Sequence, residues 1–259
     1  MLDSVPENFL WGAVIDGRTV NGDSIHDDWI HWEQRLGAIT HADHLGKAAD
    51  HWNLYREDFR VARDFGMNAM LIVLEWSRIQ PNHDRFDEKA LKHYAKMLES
   101  AREHGITPII ALQHVAIPNW FSDSRGWKRS TAPGRFAEYA REVMNTLGDL
   151  CDHWIPILEP MHYSLRAYRL GHWPPTQRNL QRARRVELNL IKAHHAAHDA
   201  IKAARPKAQV GVGIRIAQYR PRNPYRAWDA RAAEREASSP LRRRSPSGFP
   251  SDRWHARAR

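Results

Sequence analysis

An α/β fold on a parallel sheet is what this chain predicts, on three observations. Short apolar runs alternate with amphipathic segments, the runs are too continuous for a one-sided sheet, and polar residues stand where the runs end. The runs are Phe9–Ile15, Asn68–Leu74 (NAMLIVL), Thr107–Leu112 (TPIIAL), Trp154–Leu158 (WIPIL) and Gln209–Ile216 (QVGVGIRI). Strands covered on both faces read this way, and parallel sheets are covered on both faces. Between them, Lys47–Phe65 sets Trp52, Tyr55, Phe59 and Ala62 at helical spacing and stops at Gly66. Asp87–His104 does the same with Leu91, Tyr94, Leu98 and Ala101, closing at Gly105. Ala132–Cys151 and Arg182–Ala204 complete four helices. Five strands alternating with four helices imply right-handed βαβ units.

Open doubly wound sheets and barrels both satisfy that alternation. No GxGxxG or GxxxxGK[ST] pattern follows the first run, which removes support from nucleotide-binding open sheets. Barrels carry their chemistry at the C-terminal ends of strands. Glu75 and Glu159 follow their runs directly, His114 comes two residues after its run, and Arg215 lies near the end of the last. A (β/α) barrel is therefore the expected architecture.

The 259 residues are 42% hydrophobic, enough for a packed core. One cysteine, Cys151, excludes an internal disulfide and gives no sign of an oxidising compartment. MLDSVPENFLWGAV lacks a basic stretch followed by an apolar core, so no signal peptide is expected, and no apolar window reaches membrane-spanning length. A cytoplasmic protein without membrane partners is the expectation. The net charge of +9 raises nucleic-acid binding as a distant alternative. Ser238–Arg259 alone holds six arginines, including Arg242, Arg243 and Arg244, against one acid, Asp252. No basic and aromatic stripe accompanies them, so no nucleic-acid partner is expected. This segment has no apolar period, and reads either as a disordered Arg-rich tail or as the product of a frameshift.

The chemistry centres on Leu158-Glu159-Pro160. A glutamate at the mouth of an apolar strand is partly desolvated, and desolvation raises a carboxyl pKa, as a general acid acting on a glycosidic oxygen requires. Eleven tryptophans suit sugar-stacking walls or an aromatic core. His194 and His198 have the i,i+4 spacing of a zinc pair, but no third ligand follows, so helix packing or exposure is expected of them. Arg78 is expected in a structural ion pair or hydrogen bond.

Seven stretches occur in a telling order: FLWG (Phe9–Gly12), ADHWNLYREDF (Ala49–Phe59), GMNAMLIVLEWSRIQP (Gly66–Pro81), GITPIIALQHVAIPNWF (Gly105–Phe121), GW (Gly126–Trp127), FAEYA (Phe136–Ala140) and WIPILEP (Trp154–Pro160). GHWPP (Gly171–Pro175) and KAHHAAHDAIK (Lys192–Lys202) continue them. Together they resemble the N-terminal part of glycoside hydrolase family 1, the retaining β-glucosidases and β-galactosidases, with an archaeal-type Glu75–Ile79. The resemblance runs from about residue 7 to 237. It implies a TIM-type barrel, incomplete at about five of eight βα units, hydrolysis of β-linked glycosides, a small-molecule carbohydrate partner, and no cofactor or metal. Glu159 stands at the acid/base position, His114 at the sugar-binding histidine, and Trp127 at a structural tryptophan.

Departures from the family pattern gather at the same pocket. Thr19-Val20-Asn21-Gly22 replaces Gln-x-Glu-Gly, so Thr19 takes the place of a sugar-gripping glutamine. Leu71 replaces an arginine that supports the nucleophile, Leu158 the asparagine before the acid/base, and Val115 the tryptophan after the histidine. Arg215 stands where the fifth strand bears an asparagine, and could face an anionic ligand. A retaining glycosidase needs two carboxylates about 5–5.5 Å apart, and the family takes its nucleophile from a seventh strand. Glu75 and Asp16, the other acids near strand ends, are weak substitutes, so no nucleophile is assigned. The expectation is an impaired or inactive chain, with a sugar-binding remnant or non-catalytic fragment as the alternative. Open barrel edges imply self-association.

Overall fold

A computed structural model describes residue 6 and residues 8–35, 37–39, 43–215 and 220–237. Five strands form one sheet in the order β1-β2-β3-β4-β5, every neighbouring pair parallel. They are β1 (Gly12–Asp16), β2 (Ala69–Val73), β3 (Thr107–Gln113), β4 (His153–Ile157) and β5 (Gln209–Val210). The helices are α1 (Gly17–Asn21), α2 (Asp28–Glu33), α3 (His51–Asp64), α4 (Trp76–Ile79), α5 (Glu88–Glu103), α6 (Asn119–Asp123), α7 (Ala132–Leu147), α8 (Pro160–Ser164), α9 (Leu180–Ala204) and α10 (Ala227–Ala237). The four long crossovers α3, α5, α7 and α9 are the four helices that periodicity marks. The short ones sit in the loops after the strands, where no apolar period reaches helical length.

Boundaries shift for local reasons. β1 starts at Gly12 rather than Phe9, because pairing with β2 begins at Ala69, and a Cβ on Gly12 would sit 1.9 Å from the Ala69 carbonyl oxygen. Phe9 and Trp11 are exposed. α3 starts at His51 because Ala48 and Asp50 adopt left-handed φ values. The last expected strand shortens to Gln209–Val210, with one further bridge between Leu158 and Gly213, and its expected end at 216 lies outside the described residues.

Side-chain alternation divides the sheet into two unequal faces. Register aligns Ile15, Ile72, Ile110, Trp154 and Val210 in one row, and all five are buried in the helix-packed core. The opposite row, Val14, Leu71, Ile109 and His153, is half-buried, except that Val14 is 55% exposed. That row is the inward face of a barrel, left open because five strands form an arc and not a closed sheet.

Tryptophan serves the core first. Trp76, Trp127 and Trp154 are among the largest sealed side chains. Trp76 stacks on Tyr139 at 5.1 Å and meets Phe121, Trp127 and Phe136 within 6.0 Å, joining α4, α6 and α7. Beneath the first loop, Arg78 donates to Glu75 Oε1 (3.0 Å) and to the Gly22 carbonyl (2.6 Å), and its guanidinium lies 4.3 Å from the Trp52 ring. Asn21 donates to the same Glu75 oxygen at 2.6 Å, and the Glu75 amide donates to Tyr94 Oη at 3.0 Å. Arg78 is thus the structural ion-pair residue that the sequence indicates.

The first compact unit ends at Gly213, and the second begins at Ile214. Within the second, α10 is preceded by an Asn223 amide donating to Asp229 Oδ2 at 2.9 Å. Ser238–Arg259 lies outside the described residues.

Two expectations follow for stability. Removing Arg78 as Arg78→Ala strands the buried Glu75 carboxylate, and should cost about 3 kcal/mol in chemical denaturation. His194, buried on α9, has its pKa lowered to about 3 by burial and by the neighbouring His195 and His198. The folded state therefore prefers the neutral ring. Its stabilising contribution is present above the unfolded pKa of 6.5 and is lost as pH falls toward 3. Denaturation midpoints followed by tryptophan fluorescence should fall across that window, by at most about 1.4 kcal/mol per pH unit from this group, and His194→Gln should flatten the fall.

Candidate active site

The parallel register brings the ends of β1, β3 and β4 to one rim. β4 ends at Ile157, and the next two residues are held from both sides. The Leu158 amide donates to the Gln113 carbonyl, and the Glu159 amide to the Gly213 carbonyl, each at 2.8 Å. Glu159 itself takes a left-handed conformation (φ 49°, ψ 47°), uncommon for a residue with a Cβ. Pro160 follows at the first position of α8, where its fixed φ suits the helix while its ring disfavours the right-handed conformation in Glu159. The Glu159 carbonyl then accepts from the His162 and Tyr163 amides. Strain of this kind, of order 1–3 kcal/mol, is held where the surroundings over-determine it, commonly at functional sites.

His114 occupies the rim after β3, its loop fastened by Gln113 Nε2 donating to the Ala116 carbonyl at 2.9 Å. Its imidazole lies between two carboxylates. Nε2 is 4.0 Å from Glu159 Oε2, and Nδ1 is 3.3 Å from Asp16 Oδ1. The side chains of the three are 19–27% exposed, so the group is partly shielded and still open to a solute. A carboxylate and an imidazole at one strand-end rim can exchange a proton with a ligand and donate hydrogen bonds to its hydroxyls.

The remaining indicated residues distribute unevenly. Thr19 is exposed, and its hydroxyl is directed to the Asp16 carbonyl (3.1 Å) and to Asp16 Oδ2 (3.3 Å), which places it behind Asp16. Leu158 is half-buried, and its Cδ1 fills the space above Gly213. Leu71 belongs to the inward-facing row and Val115 is buried. Arg215 is exposed and belongs to the second unit. Glu75 is buried, with Oε1 taken by Asn21 and Arg78. Among the described residues, no cluster of three or more His, Cys, Asp or Glu is placed to hold a metal ion.

Two features carry little sequence signal. Asp16 follows an apolar run like many strand-end acids, and only the tertiary fold sets it beside His114. Trp29, Trp173 and His162 build an aromatic wall, with ring centroids 5.7 Å (Trp29–Trp173) and 5.2 Å (His162–Trp173) apart and the Arg166 guanidinium 5.9 Å from Trp173. They come from α2, α8 and the loop before α9, so no single periodic window contains them.

Comparison with known proteins gives a consistent result. The family model described as glycosyl hydrolase family 1 matches residues 1–242. Beta-glucosidase A of Acetivibrio thermocellus is 27% identical over 235 residues, covering 88% of this chain and 52% of that protein. The solved beta-glycosidase from Pyrococcus horikoshii is 31% identical with a TM-score of 0.81, over 90% of this chain and 53% of the other. The beta-glucosidase from Thermotoga maritima in complex with glucoimidazole has a TM-score of 0.85 at 26% identity, over 90% of this chain and 54% of the other. The chain thus spans about half the length of the relatives it matches, and with the family model covering residues 1–242 it belongs to glycosyl hydrolase family 1.

Proposed function

We propose that this chain carries the acid/base half of a retaining β-glycosidase site, and that the 259 residues by themselves bind a β-glycoside without turning it over. The observation that supports this most directly is the fixed placement of Glu159 at the end of β4, 4.0 Å from His114. In such a site Glu159 protonates the leaving oxygen and then activates water, while His114 donates to a sugar hydroxyl. The Thermotoga maritima relative is seen with glucoimidazole, and a sugar-sized ligand of that class is the proposed occupant here.

Retention requires a second carboxylate about 5–5.5 Å from the first, able to attack the anomeric carbon. Glu75 is engaged with Arg78 and Asn21, and Asp16 faces the imidazole with Thr19 behind it. Neither is assigned the nucleophile, and the proposed reaction needs a carboxylate from strands beyond these five. Leu158, Leu71 and Val115 also remove polar groups that would strengthen their bonds to the sugar in the transition state. A non-catalytic, sugar-binding role follows from the same facts. A cytoplasmic location is proposed from the single, buried cysteine. Neither a nucleic acid nor a membrane is proposed as a partner, and among the described residues no helix is long and apolar enough to cross one.

Turnover of an aryl β-glucoside by the purified chain, beside Glu159→Gln, tests the reading. Both proteins should match the uncatalysed background, whereas hydrolysis that disappears in Glu159→Gln would overturn the inactive assignment. The open face makes a second prediction. Exposed Phe9, Leu10, Trp11 and Val14 beside a β1 edge that pairs with no further strand among the described residues should drive self-association. Sedimentation velocity should show species that grow with concentration, and a single monomeric boundary at all concentrations would exclude this.

A further inference from the structure

The body of the protein contains a cationic cleft remote in character from the acidic rim. It lies between the 3-10 turn Gly126–Lys128, with the approach to α7, and the N-terminal half of α9, and it encloses about 920 Å³. Arg125, Lys128 and Arg129 line one side. Arg182, Arg184, Arg185 and Lys192 line the other, spread over about 15 Å of helix at 1.5 Å per residue. No acidic side chain lines it, and among the described residues none of the seven cations has a carboxylate within ion-pair distance. Arg182 reaches only the neutral Gln177, at 3.0 Å.

Hydrogen bonds tie the two walls together against this repulsion. Asn189 of α9 is buried and donates to the carbonyls of both Trp127 (2.8 Å) and Arg129 (2.9 Å), which ties the helix to the opposite wall. Arg125 is held at φ 76°, a left-handed conformation that a side chain opposes. Burial, then the charges of Arg182 and Arg125, lower the Lys128 pKa from its ordinary value, as like charges close by do. Thr131 caps the 16-residue α7 at the cleft without a side-chain bond to its amides, so the positive end of that helix adds to the field.

We propose that this cleft is a binding site for a linear oligophosphate, with the triphosphate chain as its recognised chemistry. Several charges in a row along a cleft whose backbone walls are tied together match an anion that carries several charges in a row, and guanidinium groups bind phosphate oxygens in pairs. No aromatic ring lines the cleft and Leu188 is its apolar wall residue, so a nucleobase has no stacking surface there. The phosphate chain alone is the ligand. This inference is independent of the glycosidase reading, since it uses none of the rim residues.

The test is calorimetric titration of the full 259-residue chain with inorganic tripolyphosphate, ATP and orthophosphate. Tripolyphosphate should bind with an affinity that falls steeply as salt rises, ATP should bind no tighter, and orthophosphate should bind at least about tenfold more weakly. The pair Arg182→Glu with Arg185→Glu should weaken tripolyphosphate binding by at least about tenfold, and the milder pair Lys128→Gln with Arg129→Gln should weaken it in the same direction. Arg242→Ser, Arg243→Ser and Arg244→Ser together should leave it within about twofold. Loss on the tail substitutions but not on either cleft pair would overturn the proposal, as would orthophosphate binding as tightly as tripolyphosphate. ATP binding tenfold tighter than tripolyphosphate would replace it with a nucleotide site.

Discussion

The hydrogen-bonded parallel register of β1 to β4 is the constraint from which the site takes its geometry, because it fixes which residue of each strand reaches the common rim. Gly12 pairs with Ala69, Ala69 with Thr107, and Ile109 with His153. A one-residue slip in any pair would turn a buried row outward and carry Asp16, His114 or Glu159 off the rim. The register is strongly specified because one face of the sheet is sealed by four helices. Ile15, Ile72, Ile110, Trp154 and Val210 can all be buried at once in only one alignment.

Upon that ladder the chemistry is local. Glu159 is steered by two amide bonds and a following proline into a conformation that its Cβ resists, and His114 lies within reach from the neighbouring strand. Around this pair Leu158, Leu71 and Val115 present apolar side chains, Val115 buried and the other two half-buried. Meanwhile Asn21, Glu75, Arg78 and Trp52 fasten the first loop beneath the rim.

The uncovered face and the basic cleft show two ways in which a partial barrel meets water. Val14, Leu71 and Ile109 are apolar side chains on the face that a closed barrel would enclose, and the exposure of Val14 favours association. The cleft between the Gly126–Lys128 turn and α9 has the opposite character, with like charges on two walls whose backbones Asn189 ties together. An apolar surface lowers its free energy against another apolar surface, whereas a clamped cationic trough does so against a multivalent anion. The two faces therefore call for different partners.

By itself the sequence determined the class of fold, the four long helices, five strand positions and the place of Glu159 at a strand end. Each of these is written in a local signal: apolar runs, helical spacing, glycine stops, and the Leu158-Glu159-Pro160 strand end. Strand limits at Phe9–Trp11 and past Val210 were not legible, because strands end where their partners end, and pairing is not local. Asp16 beside His114, the wall of Trp29, Trp173 and His162, and the cleft joining Arg125–Arg129 to Arg182–Lys192 were decided by tertiary structure alone. Their members are separated by tens of residues, and only the chain's return through the crossovers brings their charges and rings within interaction distance.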